Sequence, residues 1–156
     1  MWISKRTDYA ARALIVLAME QERFLKLGEL SGRTRVPAPM LEQIMVVLRT
    51  GGYVRSQRGR AGGYRLNRPA SEVTLERIVR TFQGPLAPIG CATRKHPEPC
   101  PLDAGCSMLD IWKDVRDRTI EILSATTLED LAARASGPWR FPAADPDEMG
   151  APASLQ

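Results

Sequence analysis

The sequence predicts a mainly α-helical fold carrying one small β-hairpin, with a long helix towards the C-terminal end. Three observations predict it. Apolar residues recur at helical spacing in several separate segments. A single pair of short β-type runs interrupts them, around a glycine-rich basic turn. A heptad-like apolar stripe then follows a proline-rich loop.

The elements follow in order. In residues 8–20, Tyr9, Ala13, Val16 and Leu17 fall on one helical face, and the alanine content favours helix. A second short helix is expected from Lys26 to Arg33, around Leu27 and Leu30. Val36-Pro37-Ala38-Pro39 opens a third, because proline suits a first turn whose N–H groups have no intrahelical partner. Leu41, Ile44, Met45 and Leu48 form its stripe, and Gly51-Gly52 ends it. Tyr53 to Gln57 and Tyr64 to Leu66 are the hairpin strands, joined through Arg58-Gly59-Arg60-Ala61-Gly62-Gly63. Thr74 caps a fourth helix with the stripe Leu75, Ile78, Val79 and Phe82, stopped by Gly84-Pro85.

Residues 84–105 hold five prolines and three glycines, so they are expected to be an irregular loop that needs something to order it. A long helix is expected from about Ala104 to Ser124. Its seam is Met108, Trp112, Val115, Thr119 and Ile122, and two such seams can pair across a two-fold axis. The alternative is that this helix packs on its own domain. Thr127-Leu128-Glu129-Asp130 matches a capping box for a last short helix, and beyond Gly137 the composition is that of a disordered tail. The expected organisation is therefore a DNA-binding unit over 1–83, a cysteine loop over 84–106, a dimerisation helix and short terminal helix over 107–136, and a tail over 137–156.

At 156 residues and 44% apolar, the chain can build one ordinary core. It has no run of ~18 apolar residues and no secretory leader pattern at Met1-Trp2-Ile3, so a cytoplasmic protein with no membrane partner is expected. Residues 1–68 carry 13 Lys/Arg against 5 Asp/Glu, whereas 69–156 carry 9 against 13. The first half is thus a cationic lobe suited to a polyanion, or simply a solvated basic face.

Helix, short helix, turn, helix and basic hairpin is the order of a winged helix-turn-helix. The second helix of such a motif, residues 38–50 here, enters the major groove of double-stranded DNA. Glu42 and Gln43 lie near its start. Gln can pair bidentately with adenine and Glu can accept from cytosine, though both are also ordinary surface residues. Arg58 and Arg60 flank Gly59 at the wing tip, where an arginine can enter a minor groove. Lys5, Arg6, Arg55 and Arg65 are candidate phosphate contacts.

Thr7-Asp8-Tyr9-Ala10, Leu41-Glu42-Gln43-Ile44, Gly52 to Ser56 and Arg58 to Leu66 together resemble the winged-helix bacterial regulators that include IscR, NsrR and RirA. The resemblance runs over about residues 1–135. It implies a homodimeric transcriptional regulator on a roughly palindromic operator, with Glu42 and Gln43 at bases and Arg58 and Gly59 at the minor groove. It also implies an iron–sulfur cluster on the three cysteines before the dimerisation helix, sensing redox state, nitric oxide or iron.

Three cysteines cannot all pair within one chain, and clustering in a cytosolic protein points to metal or redox chemistry. Eight residues separate Cys91 from Cys100 and five separate Cys100 from Cys106. The first interval is longer than in the named regulators. The IscR group carries a histidine three residues after its last cysteine, where this chain has Leu109. In NsrR-like members an aspartate in the partner's first helix supplies the fourth ligand, and Asp8 stands at the matching position. The resemblance thus implies a cluster on Cys91, Cys100 and Cys106 completed by Asp8 of the partner subunit, with [4Fe-4S] favoured over [2Fe-2S]. Asp8 also suits a helix-dipole role. His96, Asp103 and Asp110 are weaker candidate ligands.

Other readings stay open. Zinc on the three cysteines and His96, or direct thiol oxidation, would keep the regulator and change its sensor. An iron–sulfur redox protein or enzyme is the rival from another class. The chain has no nucleotide loop, no Cys-x-x-Cys and no second histidine, so it is expected not to be an enzyme. A basic protein-interaction module is the last alternative.

Overall fold

A computed structural model describes residues 3–102 and 105–135. Its order is α1 (Lys5–Met19), α2 (Leu27–Thr34), α3 (Ala38–Thr50), β1 (Val54–Gln57), β2 (Gly63–Leu66), α4 (Leu75–Gln83), α5 (Leu109–Ala125) and α6 (Leu128–Arg134), with 3-10 turns at Ala70–Glu72 and Gly90–Ala92. The expected helices and hairpin are present. The long helix begins at Leu109, after the turns around Gly105 and Cys106, and not near Ala104, which lies outside the described residues. The expected tail from 137 also lies outside them.

Helix α1 is the axle. The Ser4 hydroxyl caps it by accepting from the Thr7 N–H at 3.1 Å. Ala10, Ala13, Leu14, Val16 and Leu17 are buried, because α2, α3, α4, α6 and β2 all pack on it. Alanine at two of these positions lets neighbouring backbones come close. Helix α2 ends at Arg35, which adopts the left-handed conformation at φ 56°. Buried Thr34 secures the turn that follows: its hydroxyl donates to the Leu30 carbonyl at 2.7 Å and accepts from the Val36 N–H. The turn fixes α3, whose Leu41, Ile44, Met45 and Leu48 are fully buried against the core.

Strands β1 and β2 pair antiparallel with Val54 opposite Leu66 and Arg55 opposite Arg65. Leu25 adds a third edge through a bridge to Tyr64, with N–H···O bonds of 2.9 and 2.8 Å. Thr74 caps α4 and Thr127–Asp130 forms the capping box of α6, both as the sequence leads one to expect. Leu128 is fully buried and α6 lies on α1, so the chain returns to the first core after α5.

Candidate nucleic-acid interface and cysteine loop

Packing of one α3 face leaves the other face outward. Glu42 and Gln43 are exposed on it. Met40 and Val46 are also exposed, at 39% and 49%. Sequence reasoning missed these two. The signal is that both are apolar yet lie off the Leu41, Ile44, Met45, Leu48 stripe. Helix α3 therefore presents a mixed polar and apolar outer surface, the type that can meet base edges and thymine methyls.

The hairpin carries the cations. Gly59 sits at φ 105°, in open space between exposed Arg58 and Arg60. Gly62 is there for closeness: a Cβ on it would lie within 2.2 Å of the Gln57 carbonyl oxygen. Arg55 and Arg65 stand directly opposite each other, a like-charge pair, and both guanidinium groups lie over the Phe24 ring at 5.8 and 5.9 Å. Arg6 lies over Phe82 at 5.9 Å, and Lys5 is exposed at the start of α1. Among the described residues none of Lys5, Arg6, Arg55, Arg58, Arg60 and Arg65 is in an ion pair.

Cys91 lies in the 3-10 turn, and Cys100 and Cys106 in irregular chain before α5; all three are half-buried and free of disulfides. The donor chemistry suits a thiophilic metal group. Among the described residues, however, no three of His, Cys, Asp and Glu are gathered closely enough to hold a metal ion. Asp8, in the first turn of α1, forms an ion pair with Arg12 at 2.6 Å. His96 is exposed, and its carbonyl accepts from the Thr93 hydroxyl. Asp110 pairs with Lys113 at 3.5 Å, and Asp103 lies outside the described residues.

Helix α5 holds the first turn of the loop directly. Arg116 is the one residue buried on α5. Its guanidinium donates to the Ala92 carbonyl at 2.5 Å, one residue beyond Cys91, and grips Asp117 at 2.7 and 2.9 Å. Arg94 donates to the same carboxylate at 2.8 Å. Hydrogen bonds from Arg116, then from Arg94, hold the Asp117 carboxyl well below the usual carboxylate range. Leu86 and Ala92 on this segment are buried.

A helix-turn-helix with an outward recognition helix and an unneutralised basic wing defines a DNA-binding transcriptional regulator. The chain belongs to the Rrf2 family: its model, described as an iron-dependent transcriptional regulator, matches residues 3–134. Members of this family are regulators and not enzymes. An rrf2-like HTH-type regulator of Rhodobacter capsulatus is 34% identical over 138 residues, covering 84% of this chain and 92% of that one. IscR of Photorhabdus laumondii is 31% identical over 132 residues, covering 84% and 79%. The solved structure of CymR, the global cysteine regulator of Bacillus subtilis, matches with a TM-score of 0.71 and 30% identity over 87% of this chain and 99% of that one. Among the described residues no helix is long and apolar enough to cross a membrane.

Proposed function

We propose that the protein is a homodimeric, DNA-binding regulator whose three cysteines hold an iron–sulfur cluster. Residues 1–83 engage the operator, 84–106 form the sensing loop, and α5 pairs the subunits. The observation that carries the sensing role is the set of three free thiols on one loop strapped to α5 by Arg116. The iron-dependent description of the family supports the cluster. The exposed Ile111, Val115 and Ile122 on α5, with exposed Met108 at its N-cap, support the pairing.

Cys91, Cys100 and Cys106 would hold the cluster, with Asp8 of the partner subunit as the oxygen ligand and [4Fe-4S] as the favoured type. Bound there, the group would supply iron that reacts with oxygen or nitric oxide. The protein's own residues do the rest. Glu42, Gln43 and Val46 on α3 meet base edges, and Arg58, Gly59 and Arg60 enter the minor groove. Lys5, Arg6, Arg55 and Arg65 hold phosphates. Ala92–Arg116 and Arg94–Asp117 link the loop to α5, so a change of loop shape moves the pairing helix and the separation of the two recognition helices. A dimer reads half-sites about one helical turn apart, so that separation sets affinity.

The second reading keeps the regulator and makes the thiols themselves the sensor. It is favoured by the ungathered cysteines and by the likeness to a cysteine regulator. Anaerobic purification, a visible absorption spectrum, and iron and sulfide assays on the same sample separate the two. A brown protein with matched iron and sulfide is expected. A colourless protein after reconstitution would overturn the cluster and leave zinc or thiol chemistry, which a zinc assay divides. In the brown protein, Asp8→Ala is expected to alter the spectrum or speed cluster loss; no change would remove Asp8 from the ligand set.

A further inference from the structure

A pocket of about 160 Å³ lies between α4, the segment from Pro85 to His96, and α5. Among the described residues, no cysteine and no carboxylate lines it. Leu86, 2% exposed, and Ile120 contribute apolar wall, and Arg80, Arg94, Lys95 and Arg116 supply cations. The carboxylates bonded to these cations stand outside the lining. Glu76 holds Arg80 at 2.6 Å, and Asp117 is shared by Arg94 and Arg116. Lys95 has no ion pair among the described residues. Four cations thus face two carboxylates, and the surplus positive charge borders an apolar, partly enclosed space. Cations beside apolar walls attract an anion more strongly than cations in open water do.

We infer that this pocket binds a small aliphatic carboxylate, with the carboxylate between Lys95 and Arg94 and the hydrocarbon against Leu86 and Ile120. The volume is below the roughly 300 Å³ at which drug-sized ligand sites begin, which restricts the ligand to a few carbons. The apolar wall distinguishes a carboxylate with a hydrocarbon body from inorganic phosphate, which would leave that wall unfilled. Arg94 also grips Asp117, and Arg116 also holds the Ala92 carbonyl, so a ligand that recruits them reshapes the turn beside Cys91. Ligand binding in the pocket stands whichever chemistry the thiols perform; its role as an effector site rests on the proposed sensing by the loop and pairing by α5.

Isothermal titration of the full chain with butyrate, butyramide and inorganic phosphate tests it. Butyrate is expected to bind saturably with a Kd on the order of 1 mM, with butyramide and phosphate each at least about tenfold weaker. Lys95→Glu, at an exposed position, is expected to weaken butyrate about tenfold or more while leaving affinity for a DNA duplex unchanged. No saturable butyrate binding, equal binding of butyramide, or phosphate binding tighter than butyrate would each overturn the inference. So would butyrate binding unchanged in Lys95→Glu. A loss of duplex affinity in that variant would assign the cations to DNA instead.

Discussion

One methyl group at Gly63 tests how the wing is tied to the helical core. Gly63 opens β2 at φ 149°, and a Cβ there would stand 2.3 Å from the Leu25 carbonyl oxygen and 2.6 Å from its carbon. Both are backbone atoms, so no side chain can swing aside. Relief requires parting Leu25 from Tyr64, which are joined by two N–H···O bonds of 2.9 and 2.8 Å. Losing two such bonds costs about 1–3 kcal/mol, and a side chain at that φ adds about 1–3 kcal/mol. Gly63→Ala is thus expected to destabilise by about 2–6 kcal/mol and to lower Tm by roughly 4–24 °C. The damage falls at the root of the hairpin. Affinity for a random-sequence duplex, read by fluorescence anisotropy well below Tm, should therefore drop while far-ultraviolet circular dichroism keeps its helical signal. Gly59→Ala is the control. Its φ of 105° also disfavours a side chain, but the Cβ would meet nothing within 4 Å, so its thermal cost should be clearly smaller. Gly63→Ala melting with the parent, or no higher in cost than Gly59→Ala, would refute the reasoning.

Asp117→Asn should destabilise the loop at neutral pH. The Asp117 carboxyl titrates below its ordinary value of 3.8 in the fold, so its stabilisation is complete above that value and is lost as pH falls through the lower folded one. The stability gap between parent and variant, measured by urea titration, should therefore narrow below about pH 4; a gap that widened there would contradict the sign. Ile122→Glu places a charge on the exposed α5 seam, where Ile122 is 66% accessible, so it should leave the protomer folded and give monomers in sedimentation velocity. A dimer that persists would move the pairing surface elsewhere. Arg55→Ala should lower the slope of log affinity against log salt by about 1.8 for a dimer losing one phosphate contact per subunit. An unchanged slope would take Arg55 off the DNA backbone.

The helices that pack on one face were legible because their apolar residues repeat at 3.6, as Leu41, Ile44, Met45 and Leu48 do. Caps were legible because they need only local chemistry. Thr127 and Asp130 form both bonds of their box. Other features depended on contacts distant in sequence. Leu25 joins the sheet as a single residue, too short to show a period of two. Arg116 reads as a solvent-facing helix residue, yet it is buried because the Ala92 carbonyl and Asp117 satisfy its guanidinium. The cysteine loop carries no period at all, and the Ala92–Arg116 bond that holds its first turn joins residues far apart in sequence. Met40 and Val46 lie off the buried stripe, so apolar periodicity alone does not separate them from ordinary surface residues. The basic character of the wing was plain in Arg58 and Arg60, whereas the stacking of Arg55 and Arg65 on Phe24 required the fold to bring residue 24 beside the hairpin.

The connection between α5 and α6 decides how α5 can move. Thr126 accepts from the Leu75 N–H at 2.8 Å, and Leu128 donates to the Val73 carbonyl at 2.9 Å. The C-terminal end of α5 is thereby fastened to the start of α4 at a short bridge. Its 17 residues form a rod of about 25 Å pivoting on that fastening. A tilt of about 5° barely displaces the pivot and carries the opposite tip through about 2 Å. That tip is where the cysteine loop joins, so α5 has the geometry of a lever arm: a small angular change at the loop becomes a sideways displacement of the exposed seam that grows from the pivot to the tip.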